Sequence, residues 1–325
     1  MKIPLPQLSF AFAGAPGPAP GATDGAVLDE ANATAYVEMT CRSILNWSQG
    51  TRMRDVFTVN PYRGCEFGCA YCYARYTHEF LELAHWEDFE RRIFVKSNAP
   101  EVMRRELKRK DVLGHGIAIG TATDPYQPAE RRFGITRRIL EGLLPYRDIP
   151  ISLISKSGLI ERDVELLASL ARRHPLRVLT SCISLDRDLL RALERRAPVP
   201  ERRFRAMERL SAAGVTCGLI VAPILPGLTD GVDHLTALLV RAKQAGASFA
   251  HSNVLFLRSS AKKRFFPWLR ENAPWLHERY GAAYAKGAYE SDDYRAQVRR
   301  HVAEAMARAG FDEGPRRFGN RGEAA

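Results

Sequence analysis

The chain has 325 residues, 46% hydrophobic and 26% charged, which excludes a disordered or fibrous protein and describes a globular chain able to bury a large core. No stretch approaches the roughly 18–20 uninterrupted apolar residues of a membrane-spanning helix, so no membrane partner is expected. Lys and Arg outnumber Asp and Glu by 48 to 37, a formal net charge of +11. That excess favours anionic partners, nucleic acid first among them, although arginines on solvated helix faces give the same count.

In chain order, the opening "MKIPLPQLSFAFAGAPGPAPGATDGA" carries one Lys, a short apolar patch broken by Pro4 and Pro6, and a Gly/Pro/Ala run. The prolines interrupt any helical apolar core, so the segment reads as a flexible leader, taken as residues 1–35, and not as a secretion signal. Strand-like runs follow at 55–60, 92–96, 116–121, 150–155, 177–184, 216–223 and 248–256. Amphipathic helical stretches lie between them, at 100–110, 135–144, 160–173, 201–214 and 234–246. Strand then helix, repeated about six times, predicts an α/β core of parallel strands with helices outside, over residues 36–257. A barrel and an open doubly wound sheet both fit, and both place ligands at the carboxyl ends of the strands. The aromatic-studded remainder, 258–325, reads as a helical C-terminal extension packed on that core.

Directly after the first of these strands comes "RGCEFGCAYCYARYTHE" (63–79), with Cys65, Cys69 and Cys72 spaced Cys-x3-Cys-x2-Cys. Gly64 and Gly68 let the backbone curl tightly there. Clustered thiols without an even, spread framework suit metal ligation in a reducing compartment, which makes the cytoplasm the expected location. Two metal readings compete. Zinc wants four protein ligands, and His78 completes a Cys3His set; the function is then that of a zinc-stabilised nucleic-acid-binding protein without radical chemistry. An iron–sulfur cluster held by three thiolates leaves one iron open for an outside ligand. Cys41, Cys182 and Cys217 read as ordinary thiols, the last two lying inside apolar strands.

The triad with an aromatic before its last Cys resembles the radical S-adenosylmethionine (SAM) superfamily. "NPYRGCEFGCAYCYAR" (60–75), "GTATDPYQPAE" (120–130), "SKSGLI" (155–160), "CISLD" (182–186) and "APILPGLTD" (222–230) occur in the order seen in the branch related to spore photoproduct lyase. The resemblance covers roughly residues 40–290. It implies a partial (β/α)6 barrel and a [4Fe-4S] cluster on Cys65, Cys69 and Cys72. The unliganded iron then takes the methionine end of S-adenosyl-L-methionine, and reductive cleavage yields a 5′-deoxyadenosyl radical. An electron donor such as flavodoxin or ferredoxin is implied with it.

On this reading Tyr71 lies beside the cofactor, and Thr123 and Asp124 accept from its ammonium group. Gln127 and Glu130 share their loop. Lys156 pairs with the carboxylate, and Pro223 and Ile224 wall the adenine. Ser184 and Asp186 either bond the carboxylate and ribose hydroxyls or cap the next helix. Arg75, His78 and Glu79 fall on the substrate side. One departure stands out: spore photoproduct lyases carry a hydrogen-donating Cys three residues before the Asp of the third-strand block, and here that position is Thr121. An alcohol O–H bond is far stronger than a thiol S–H bond, so the substrate, possibly a nucleic acid, and the outcome of the reaction are left unidentified.

Overall fold

The structure, a computed structural model, describes residues 27–31, 34–48, 56–83, 85–109, 112 and 115–311. Its strands are, in chain order, β1 (Val27–Ala31), β2 (Thr34–Met39), β3 (Asn46–Ser48), β4 (Val56–Val59), β5 (Tyr62–Arg63) and β6 (Arg92–Lys96). There follow β7 (Ile117–Ile119), β8 (Ile151–Ser155), β9 (Leu176–Ser181), β10 (Thr216–Ile224) and β11 (Ala247–Val254). The main sheet runs β11-β10-β9-β8-β7-β4-β3. All its neighbours from β4 to β11 pair parallel, and only β3 joins antiparallel. Six parallel strands with helices between them make the partial (β/α)6 barrel that the family resemblance implies, where the alternation alone left an open sheet equally possible. Ile117, Ile119, Ile151, Leu153 and Leu219 are buried to 1% exposure or less, as strands covered on both faces must be.

Two expectations need correction. The run at 92–96 is a strand but belongs to a separate sheet, β1-β2-β6-β5. β5 leaves β4 after two residues and pairs antiparallel with Val95 and Phe94, while β2 takes the other edge of β6. Ile93, Phe94 and Val95 are thereby buried without entering the barrel. The leader boundary at 35 falls inside β2, which forms an antiparallel pair with β1; residues 1–26 lie outside the described residues.

The C-terminal region is helical, at Ser259–Asn272, His277–Ala283 and Asp292–Arg308. Phe265, Trp268, Leu269, Tyr280 and Tyr284 sink into the core. The first of these helices leans on the turn after the cysteines: Arg264 stacks 4.6 Å over Trp86, and Arg258, just before the helix, 4.6 Å over Tyr76. No described helix is long and apolar enough to cross a membrane.

Candidate active site

The cysteine loop leaves β5 through Gly64 (φ +88°) and bends again at Gly68 (φ +63°). A Cβ on Gly64 would stand 2.9 Å from the carbonyl oxygens of both Phe89 and Arg92, and one on Gly68 would stand 2.7 Å from the Glu90 carboxylate. Both glycines are therefore required twice, by conformation and by space. The loop is tied down along its length. Cys65 N donates to Phe89 O at 2.9 Å and Ala70 N to Leu193 O at 2.8 Å. Thr123 Oγ1 and Gln127 Nε2 donate to Gly64 O at 2.6 and 3.1 Å, and Glu66 N donates to Gln127 Oε1 at 2.9 Å. Arg75 donates to Cys69 O at 2.8 Å and pairs with the buried Glu90.

Cys65, Cys69 and Cys72 are free thiols. All three line one cavity at the carboxyl mouth of the barrel, with Tyr71, Thr123, Asp124, Lys156 and Pro223. Its empty space, open mouth included, is about 1020 Å³. Burial pushes the thiols up, Cys69 to about 12, so loading a metal must expel their protons. His78 does not join them. Its Nε2 lies 3.1 Å from Arg92 O, its ring packs against Phe89 and Phe94, and burial lowers it to about 4. Among the described residues no three His, Cys, Asp or Glu side chains are placed to hold a single metal ion. The alternative reading, a Cys3His zinc knot, therefore lacks its fourth ligand among the described residues. Three free thiols opening on one cavity instead fit a polynuclear cluster, which takes one thiolate per iron.

Lys156, at the end of β8, extends its amine to Cys69 Sγ at 3.3 Å, Tyr71 Oη at 3.2 Å and Glu194 Oε1 at 2.9 Å. Burial disfavours its ammonium, but Cys69, Glu194 and Tyr71 outweigh that and hold it protonated. Behind it Glu194 is fully buried and pairs with the equally buried Arg203 and with the Tyr71 hydroxyl. Burial alone would raise the Glu194 carboxyl; Arg203 and Lys156 hold it down at about 2. Arg203 is completed by the carbonyls of Pro198 and Ser181, at 2.8 and 3.0 Å. Asp124 accepts from Ser155 Oγ (2.7 Å), Lys156 N (2.9 Å) and Tyr126 N (2.9 Å), locking the β7 and β8 ends together.

Other expected residues stand elsewhere. Ser184 Oγ accepts from Asp186 N, and Asp186 caps the helix Arg187–Leu193 through Asp188 N and Leu189 N. These are the capping roles, and neither residue lines the cavity; nor does Ile224, which is buried in the core. Gln127 and Glu130 are both fully buried; Glu130 accepts from Tyr62 Oη at 2.5 Å and Thr136 N at 2.8 Å and pairs with Arg162. Thr121 does line the cavity, its hydroxyl exchanging bonds with Asn60. Cys182 does not, its thiol donating to Ser184 O. Sequence reasoning missed Glu194, one charge among many in "RALERRAP", and the cavity-lining Tyr73, Asn253 and Phe256.

The profile of the Radical SAM superfamily matches residues 59–239, more than half of the chain. The chain belongs to the radical SAM superfamily. Uncharacterized proteins of Mycobacterium tuberculosis and Mycobacterium bovis are 38% identical over 274 residues, spanning 84% of this chain and 80% of theirs. An uncharacterized protein of Methanocaldococcus jannaschii is 27% identical over 222 residues, 68% of this chain and 78% of its own. In fold the radical SAM chain is similar to a spore photoproduct lyase variant with bound AdoMet and dinucleoside spore photoproduct. The TM-score is 0.63 at 13% identity, covering 83% of this chain and 78% of that one. Radical SAM membership makes the protein an enzyme and implies a [4Fe-4S] cluster and S-adenosylmethionine as its cofactors.

Proposed function

We propose that this enzyme holds a [4Fe-4S] cluster on Cys65, Cys69 and Cys72, binds S-adenosylmethionine beside it, and acts on a nucleic acid or another phosphorylated substrate. The observation that carries the reading is the meeting of three free thiols, two of them buried and the third half-buried, and the Lys156 amine on one cavity at the carboxyl mouth of the barrel. When bound, the pair of cofactors supplies one-electron cleavage of the sulfonium and a 5′-deoxyadenosyl radical. The protein's own part is to bind, orient and exclude water. Lys156 offers its charge to the cofactor carboxylate, with Glu194 as its resting partner. Tyr71 and Pro223 supply apolar wall, and Asp124 fixes the backbone that carries Lys156.

Thr121 occupies the place of the hydrogen-returning thiol and is hydrogen-bonded to Asn60. With no thiol there, the reaction ends differently from spore photoproduct reversal. The net charge of +11 supports a phosphorylated substrate, and reduced thiols suit a cytoplasmic setting with a flavodoxin- or ferredoxin-class donor. Anaerobic reconstitution tests the proposal. A brown protein that releases 5′-deoxyadenosine with dithionite, faster with duplex DNA present, is the expected result. A colourless protein binding one zinc would overturn it, and cleavage indifferent to DNA would remove the nucleic acid alone.

A further inference from the structure

A second cleft lies between β2 and the outer side of the cysteine loop. Its empty space, open mouth included, is about 1830 Å³. Arg131, Arg132, Arg162, Arg196, Arg202 and Arg205 line it, against only Glu66 and Glu161. Those carboxylates are engaged: Glu66 accepts from Tyr36 Oη and Ala129 N, and Glu161 pairs with Arg209 at 2.7 Å and more loosely with Arg205 at 3.9 Å. Arg162 is held by Glu130 and Asp163. No ion pair joins Arg131, Arg196 or Arg202 to a carboxylate of another described residue, so the cleft keeps a strong positive excess.

Its floor is the metal loop itself. Glu66 and Phe67 sit between Cys65 and Cys69, and Phe67, 3% exposed, lines both this cleft and the central cavity. Arg196 N donates to Phe67 O at 3.3 Å and Ala70 N to Leu193 O at 2.8 Å, so the segment bearing Arg196 is stitched to the loop from outside. Within that segment Glu194 holds Lys156, whose amine stands 3.3 Å from Cys69 Sγ.

We propose that this arginine cleft is the docking surface for an acidic one-electron donor protein of the flavodoxin or ferredoxin class. The inference rests on the cluster reading above. The transfer moves one electron: the donor is oxidised by one, the cluster reduced by one, and no bond is made or broken. An electron needs only proximity to the loop, whereas a substrate must reach the cavity into which the thiols open, and Phe67 walls the cleft off from it. The aromatic residues of the cleft, Tyr36, Phe67 and Tyr126, are all buried, leaving no exposed ring on which a nucleic-acid base would stack. Exposed, unpaired arginines facing a carboxylate-rich partner set both orientation and encounter rate.

The test uses reconstituted holoenzyme without substrate, mixed anaerobically with reduced flavodoxin while the bleaching of cluster colour is followed. Arg131→Glu with Arg202→Glu, both exposed positions, should slow reduction by flavodoxin about 10-fold or more and flatten its salt dependence. Reduction by dithionite, iron content and S-adenosylmethionine binding should stay at wild-type values. Unchanged flavodoxin kinetics would overturn the assignment, as would equal slowing with dithionite. If the variant instead loses affinity for a DNA or RNA oligonucleotide while its flavodoxin rate holds, the cleft is a nucleic-acid site and the proposal is wrong. Failure to assemble any cluster in the wild type would instead strike the function reading beneath it.

Discussion

Neutralising Glu194 would leave the buried guanidinium of Arg203 facing an amide, and a buried charge without its partner costs about 3–5 kcal/mol. Glu194→Gln should therefore lower stability by that amount in urea titration, and Arg203→Met added to it should recover a large part. Gly64→Ala should be worse for iron content than Gly68→Ala. The first Cβ meets two backbone carbonyls that cannot move aside, and the second meets the carboxylate of Glu90. His78 gives a pH signature. Burial holds its ring neutral down to about 4, against about 6.5 when unfolded. The unfolded chain thus binds the extra proton, and stability is lost as pH falls from about 6.5 to 4, by roughly 3 kcal/mol. Burial lowers His251 to about 4 as well, so His78→Gln should make that part of the melting-temperature profile shallower without abolishing its slope; an unchanged profile would refute the assignment. The gathering of Cys65, Cys69 and Cys72 on one cavity was legible at this scale because the three lie within eight positions of one another. Glu194 was not, since its role depends on Lys156 and Arg203, which stand far from one another along the chain.

At the scale of elements, hydrophobic runs revealed the parallel strands, and the carboxyl-end rule placed the chemistry on the loops after them. Periodicity says that 92–96 is a strand but not which sheet it joins; β5, only two residues long, makes that choice by pairing with it. Ser184 and Asp186 show the same limit, because a helix cap and a ligand contact use the same side chains. The helix Ser259–Asn272 props the turn that follows Cys72. Trp268 is 3% exposed within it, so Trp268→Ala should cost about 3–5 kcal/mol and hasten iron loss on warming. Denaturant titration and timed iron assays check both halves. If stability falls without faster iron loss, the helix serves the core alone.

Across the whole molecule, charge and cavities divide the work. The apolar cavity inside the barrel mouth holds the thiols, and the arginine cleft outside presents the positive field. A net charge of +11 announces an anionic partner but not the face that meets it. Sequence by itself determined the alternation of strand and helix, the close-set cysteine triad and its glycines, because each is a local pattern fixed by backbone periodicity or by short spacing. Only the tertiary structure decided that Lys156 rests on Glu194, that Thr123 and Gln127 serve the loop, and that unpaired arginines gather behind Phe67. Those contacts join residues tens of positions apart, and no local pattern encodes which distant groups the fold will press together.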